Sequence, residues 1–214
     1  MRSVVAAALL TCALGTVTAH AEAPTQEALI LHLQKGSLEE RRNAAAVLGD
    51  TGDGAAVPSL LDALKNEDDV IRTLAEHSLW AIWSRSGDPK IDGLLQEGIH
   101  MVQSDRLDEA IDKFNEVVRG APEFAEGYNW RARAYYLMGQ YERAIADCEE
   151  TIKRNPMHFG ALSGEGFSYL ELGKPERALR LFERALAINP NKPKIRSIVK
   201  ELKDLLQQRV RESI

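Results

Sequence analysis

Leu179-Arg180-Leu181-Phe182-Glu183-Arg184-Ala185-Leu186-Ala187-Ile188-Asn189-Pro190 decides the fold, because its landmarks return at one fixed distance upstream. Counting back 34 residues from Ala178, Phe182 and Pro190 reaches Ala144, Cys148 and Pro156, and the same step again reaches Ala110, Phe114 and Pro122. A fourth column holds Gly98, Ala132 and Gly166. Four columns in register mark a series of like supersecondary units. Small residues let two antiparallel helices approach closely, a large apolar residue fills the space beside them, and Pro ends the second helix. Each unit is therefore predicted to be a helical hairpin, broken by turn formers at Ser104-Asp105-Arg106, Gly139-Gln140 and Gly173-Lys174.

With Tyr128-Asn129-Trp130-Arg131-Ala132-Arg133-Ala134-Tyr135-Tyr136, these columns make residues 91–192 resemble the tetratricopeptide repeat (TPR) family. Three repeats are expected, 91–124, 125–158 and 159–192, inside a region 88–192. The first copy matches less closely, and the second has Cys148 where the family has an aromatic. Residues 193–214 follow as a predicted capping helix, with Ile195, Ile198, Val199, Leu202, Leu205 and Leu206 at helical spacing. The resemblance implies that the first helix of each hairpin lines a concave groove. Carried over, its groove positions are Asp92, Leu95, Ile99, Val102 and Gln103 in the first repeat. They are Glu126, Asn129, Arg133, Tyr136 and Leu137 in the second, and Gly160, Ser163, Phe167, Leu170 and Glu171 in the third.

The expected partner contacts are Leu95, Ile99, Val102, Glu126, Asn129, Arg133, Tyr136, Phe167 and Leu170. Asn129 offers a donor and an acceptor to a peptide main chain, and Arg133 a bidentate fork to a carboxylate. Family members that hold chaperone C-terminal carboxylates use a set of Lys, Asn and Arg, two of whose positions are filled here by Leu95 and Ile99. The expected ligand is instead an extended or helical peptide with apolar anchors, held through Tyr136 and Phe167. Alternatively these apolar side chains pack against the neighbouring repeat or the capping helix.

Upstream the period changes to 31 residues, pairing Leu29 with Leu60, Ile30 with Leu61, Leu33 with Leu64, Arg41 with Arg72, Ala44 with Ala75 and Leu48 with Leu79. Two more hairpins follow from that register. Ser37 and Glu40 form a capping box, and Pro58 lies where a first helical turn tolerates it. The segments RRNAAAVLG and VIRTLAEHSLW make residues 25–86 similar to short bacterial HEAT repeats, in a predicted unit 22–87. Ser84-Arg85-Ser86-Gly87-Asp88-Pro89 is the seam between the two repeat types. A seam this short predicts end-to-end stacking. Trp80 and Trp83 either form that junction or fill the core of their own hairpin.

The first 21 residues read as a cleavable leader: Arg2, an apolar stretch from Val4 to Leu14, and Ala19-His20-Ala21 as the cleavage site. The stretch is too short and too interrupted for a membrane span. The mature chain would begin at Glu22, in the periplasm or outside the cell. The full chain has 27 Lys and Arg against 32 Asp and Glu, and loss of Arg2 takes the net charge from −5 to −6. That charge disfavours nucleic acid and anionic lipid. Cys148 is left without a second cysteine for a disulfide.

No residue pattern supplies a catalytic cluster, a metal site or a cofactor site. His32, His77, His100 and His158 are scattered without ligand spacing, and Gly164-Glu165-Gly166 falls inside a predicted helix. Cys148 occupies a column filled elsewhere by Phe, so it reads as a buried hydrophobe. Arg131 is expected to pair internally with Asp147, or else to grip a ligand carboxylate.

The sequence thus predicts an all-α, right-handed solenoid of two HEAT-like repeats, three TPR repeats and a capping helix. The leading functional expectation is an exported, non-enzymatic adaptor or scaffold that binds a protein or peptide and does not enter the membrane after leader cleavage. A periplasmic holdase, a permanent subunit of an envelope assembly and an enzyme with an unrecognised site remain as alternatives.

Overall fold

The structure, a computed structural model, describes residues 23–212, so the predicted leader at 1–21 lies outside the described residues. Among these residues there are α-helices and one 3₁₀ turn, Gly54–Ala56, and no strand. No helix among them is long and apolar enough to cross a membrane.

The N-terminal unit comprises α1 (Gln26–Lys35), α2 (Leu38–Thr51), α3 (Val57–Ala63) and α4 (Asp69–Trp83). The 31-residue register describes its packing: Leu29, Leu33, Ala44 and Leu48 are buried, as are Leu60, Leu64, Ala75 and Leu79. Arg41 and Arg72 also act alike. Each turns back to the break inside its hairpin, Arg41 donating to the Leu33 carbonyl and Arg72 to those of Asn66 and Glu67. Ser37 and Glu40 make the capping box of α2. The last turn of α2 has no basic residue of its own. Arg85 supplies the charge from beyond α4, donating to the carbonyls of Gly49 and Gly52 at 2.7 and 2.5 Å.

The 34-residue units are α5 (Pro89–Gln103) with α6 (Leu107–Gly120), α7 (Ala125–Leu137) with α8 (Tyr141–Arg154), and α9 (Phe159–Glu171) with α10 (Pro175–Ile188). The last helix, α11 (Pro193–Glu212), packs on α10. Glycine is required where the helices cross: a Cβ on Gly98 would come within 2.4 Å of the Phe114 ring, and one on Gly166 within 2.8 Å of Phe182. Each hairpin turns through one left-handed residue at the same place in the repeat: Asp105 (φ 58°), Gly139 (φ 72°) and Gly173 (φ 66°). The next residue in each copy donates its N–H back across the turn, to Met101, Tyr135 and Tyr169.

The apolar side chains form two cores. One holds repeats 1 and 2, with Ile91, Leu95, Phe114, Val117 and Tyr135 at its centre. The other runs from the N-terminal unit into repeat 3 and α11, joining Leu48, Leu79 and Ile82 to Phe159, Leu162, Phe182, Ile195 and Val199. The expected end-to-end stacking is therefore replaced by docking on the third repeat. Trp80 and Trp83 form that junction, both packing on His158 and Phe159 with ring centroids 4.9 to 5.5 Å apart. Polar contacts from the loop after α10 complete it. Buried Asn189 donates to Glu76 at 2.9 Å, Asn191 to the Leu64 carbonyl at 2.6 Å, and Lys192 pairs with Glu76.

Candidate functional site

A cleft of about 510 Å³ lies between α7 and α9. Small side chains lower its floor: Ala132 on α7, and Gly160, Gly164 and Ser168 at four-residue intervals on α9. Beneath them lies Cys148, whose Sγ would sit 3.4 Å from a Cβ added at Gly164. The walls are aromatic, from Trp130 and Tyr136 on α7, Phe167 on α9, and Trp80 from the N-terminal unit. Trp80 closes one end so tightly that a Cβ on Gly160 would meet its ring at 2.4 Å. Phe167 is held edge-on by Phe182, with centroids 4.9 Å apart.

Arg133 is exposed, lies over the Trp130 ring at 5.4 Å, and has no carboxylate partner among the described residues. Tyr136 meets Glu171 at 3.4 Å. Burial and that carboxylate both hold its hydroxyl in the protonated form, raising its pKa.

Of the expected contact residues, the structure brings Asn129, Arg133, Tyr136 and Phe167 into this cleft. Leu95 is fully buried in the core of repeats 1 and 2, with Ile99 and Val102 packed partly buried against it. Leu170 is spent in the same way on the core of repeat 3. Leu95 is corrected to a packing residue, because full burial of such a side chain contributes roughly 1.5–3 kcal/mol that exposure to a groove would forfeit, while Ile99, Val102 and Leu170 are half-buried and lie outside the cleft.

Glu126 is also corrected. It is fully buried, accepting from His158 Nε2 at 2.7 Å and from Asn129 Nδ2 at 2.8 Å. The tautomer follows from the other nitrogen: His158 Nδ1 accepts the Ala161 N–H that starts α9, so the ring proton sits on Nε2. Asn129 therefore spends a donor internally and offers a partner less than its sequence position implied.

Arg131 binds Asp147 through two hydrogen bonds of 2.7 Å and Asn115 through one of 2.8 Å, which commits it to tying repeat 1 to repeat 2. Cys148 is buried, and burial together with nearby carboxylates pushes its thiol well above the usual range, away from nucleophilic use. Burial, reinforced by Glu149, pushes the Glu165 carboxyl up to about 7. Among the described residues no group of three or more His, Cys, Asp or Glu is placed to hold a metal ion.

Trp80, Trp130, Gly164 and Ser168 were missed as cleft residues by sequence reasoning. The four-residue spacing of Gly160, Gly164 and Ser168 was a usable signal for a recessed helix face, whereas nothing in the sequence connects Trp80 with Gly160.

The family description "Tetratricopeptide repeat" matches residues 95–156 and 131–193, the same residues that build these hairpins and the cleft. Residues 95–193, just under half of the chain, thus match that repeat family. A TPR repeat-containing protein of Rhizobium etli is 29% identical over 158 residues, covering 73% of this chain and 75% of that protein. Small glutamine-rich tetratricopeptide repeat-containing protein 2 of Saccharomyces cerevisiae is 31% identical over 99 residues, and the match spans only 29% of its length. Among solved structures, the first TPR domain of RPAP3, bound to an HSP90 peptide, has a TM-score of 0.54 at 25% identity, covering 55% of this chain and 94% of that one. The Sgt2 TPR domain of Aspergillus fumigatus has a TM-score of 0.55 at 23% identity, covering 58% and 83%, a likeness of fold. The TPR region thus ends just where Pro193 starts α11, and the cleft lies wholly between its second and third repeats but for Trp80.

Proposed function

We propose that this chain is an exported adaptor that binds a protein or peptide segment in the cleft between α7 and α9, with no catalytic role and no cofactor. The observation that carries the reading is a preformed aromatic cleft with a recessed floor and one unpaired guanidinium at its rim. The RPAP3 TPR domain, similar in fold and bound to a peptide, supports it. The HEAT-like pairing at 25–86 acts in this reading as a buttress for repeat 3, not as a separate module. Export rests on the leader pattern of residues 1–21, with cleavage after Ala21 and a periplasmic or secreted destination. The holdase alternative calls for a broad exposed apolar patch on the N-terminal unit. The large apolar side chains exposed there are Leu31, Leu38 and Val70.

Photo-crosslinking in cells tests the adaptor reading. A photoreactive residue replacing exposed Leu137 at the cleft should capture a discrete partner that the same residue at exposed Arg180 on α10 does not. Identical products from both positions would place the interaction elsewhere. Mature protein whose first residue is not Glu22, or that stays inside the cytoplasm, would remove the export part.

A further inference from the structure

One position of the 34-residue repeat carries an ionisable side chain in every copy: Glu97, Arg131 and Glu165. Its neighbours lie sixteen residues after it, on the second helix of its own hairpin, and sixteen before it, on the preceding hairpin. In repeat 1 Glu97 pairs with Lys113 at 2.8 Å. In repeat 2 Arg131 holds Asp147 on one side and Asn115 on the other. In repeat 3 the same two places hold Leu181 and Glu149. Glu165 is nonetheless buried, and among the described residues no hydrogen bond or ion pair closes on it. Where repeat 2 sets a cation between its neighbours, repeat 3 thus brings two carboxyl groups to one place. We propose that protonation of Glu165 replaces the missing cation, so that the seam between repeats 2 and 3 beneath the cleft is closed in acid and loosens in alkali.

A buried carboxylate without a hydrogen-bonded partner and beside a like charge favours its neutral form on both counts. Here burial opposes ionisation most, and Glu149 on α8 adds to it. Arg184 and Arg177 on α10 favour the charge less strongly, and α7 adds no charge. Cys148 on α8 is the remaining titratable neighbour. The Glu165 carboxyl is therefore held protonated up to about 7. Once ionised, it is relieved only when α9 moves off α8 and the carboxylate reaches water. The closed seam thus has its full stability below the unfolded value of 4.5 and loses it as pH rises through about 7. α9 is one wall of the cleft, and Gly164, next to Glu165, lies over the Cys148 thiol. The same movement therefore uncovers that thiol and alters the cleft floor. None of this depends on what the cleft holds, so it stands or falls apart from the adaptor reading.

The test is alkylation of the full chain with iodoacetamide over a series of pH values. The tryptic peptide Ala144–Lys153 is followed by mass spectrometry, which reads Cys148 separately from Cys12. Dividing the rate in urea by the rate in the folded protein at each pH removes the thiol's own ionisation and leaves a protection factor. Protection should fall at least about tenfold between about pH 5.5 and about pH 8.5, the equivalent of one pKa unit. Glu165→Gln should abolish the fall. Glu149→Gln, at an exposed site, should move the midpoint to lower pH, because the like charge that opposes ionisation is gone. Amide exchange in α5 and α6, measured on the same samples, should show no such change in protection. Constant protection of Cys148 in the unaltered protein, an undiminished fall in Glu165→Gln, or an unmoved midpoint in Glu149→Gln overturns the inference. A loss of protection that α5 and α6 share is unfolding of the whole chain and overturns it as well.

Discussion

Repeats 1 and 3 have the same landmarks, yet they belong to different cores. In both, a glycine on the first helix accepts a phenylalanine from the second, Gly98 with Phe114 and Gly166 with Phe182. Repeat 1 shares its core with repeat 2 alone, whereas repeat 3 shares one with the N-terminal unit and α11 as well as with Ile145 from α8 of repeat 2. The residues that make the difference lie outside the landmark columns. Asn155 and Asn189 are equivalent and make the same local turn, accepting from Met157 and Asn191 respectively, but Asn189 alone also donates across to Glu76. Likewise the position of His158 holds Phe124 in the first repeat and Lys192 in the third. Repetition fixes the hairpin, and the irregular residues at its ends decide which neighbour it joins.

The most damaging way to break this contrast is Glu126→Ala. It leaves the buried His158 Nε2–H without its acceptor and loosens the ring on which Trp83 stacks. A loss of about 3 kcal/mol in urea unfolding is expected, since a buried N–H left without its acceptor costs its full desolvation penalty and Asn129 loses the same acceptor. Trp83→Ala follows, at about 2–3 kcal/mol from lost aromatic burial. Its value lies in where the loss appears. Native-state hydrogen exchange should accelerate in α3, α4 and α9 to α11 and stay unchanged in α5 and α6. Equal acceleration everywhere would mean that the two cores are one cooperative unit.

Glu165→Gln sharpens the contrast from within repeat 3. The folded carboxyl titrates near 7, above its unfolded value, so the folded state binds the extra proton between those two values. Its contribution to stability is therefore fully present below the unfolded value of 4.5 and is lost as pH rises through 7, where the buried charge faces Glu149 and is only partly offset by Arg177 and Arg184. At pH 8 the glutamine variant should be more stable by about 2 kcal/mol, and its unfolding should lose most of that pH dependence. A parallel pH profile in both proteins rules this out. The smallest effect belongs to Asp105→Gly in repeat 1. It places glycine in a left-handed position that the other two repeats already give to glycine, for a gain of up to about 1 kcal/mol in thermal unfolding.

The hairpins were legible because spacing and packing carry the same information. A column of Gly, Ala, Gly next to a column of Phe, Cys, Phe states which helices touch and how closely. The Arg131–Asp147 pair was legible for the same reason, since both residues belong to one hairpin. The cleft was legible only in part. A position within a repeat fixes the side of a helix to within an angular range that includes both the groove and the core boundary, so Ile99 and Val102 fit either before packing is known. Glu126 looked like a groove residue until a histidine 32 positions away claimed it. Trp80 could not be placed at all from periodicity, because it comes from the 31-residue series and meets the 34-residue series where the two share no register.

The five residues between Trp83 and Pro89 have a further consequence. That short tether starts at repeat 1, while the surface it must reach is the loop after α10 at the end of repeat 3. A stack with one repeat fewer or one more would move that loop by a whole hairpin and leave Glu76 with nothing to meet. The N-terminal unit is thus fitted to a stack of three such hairpins.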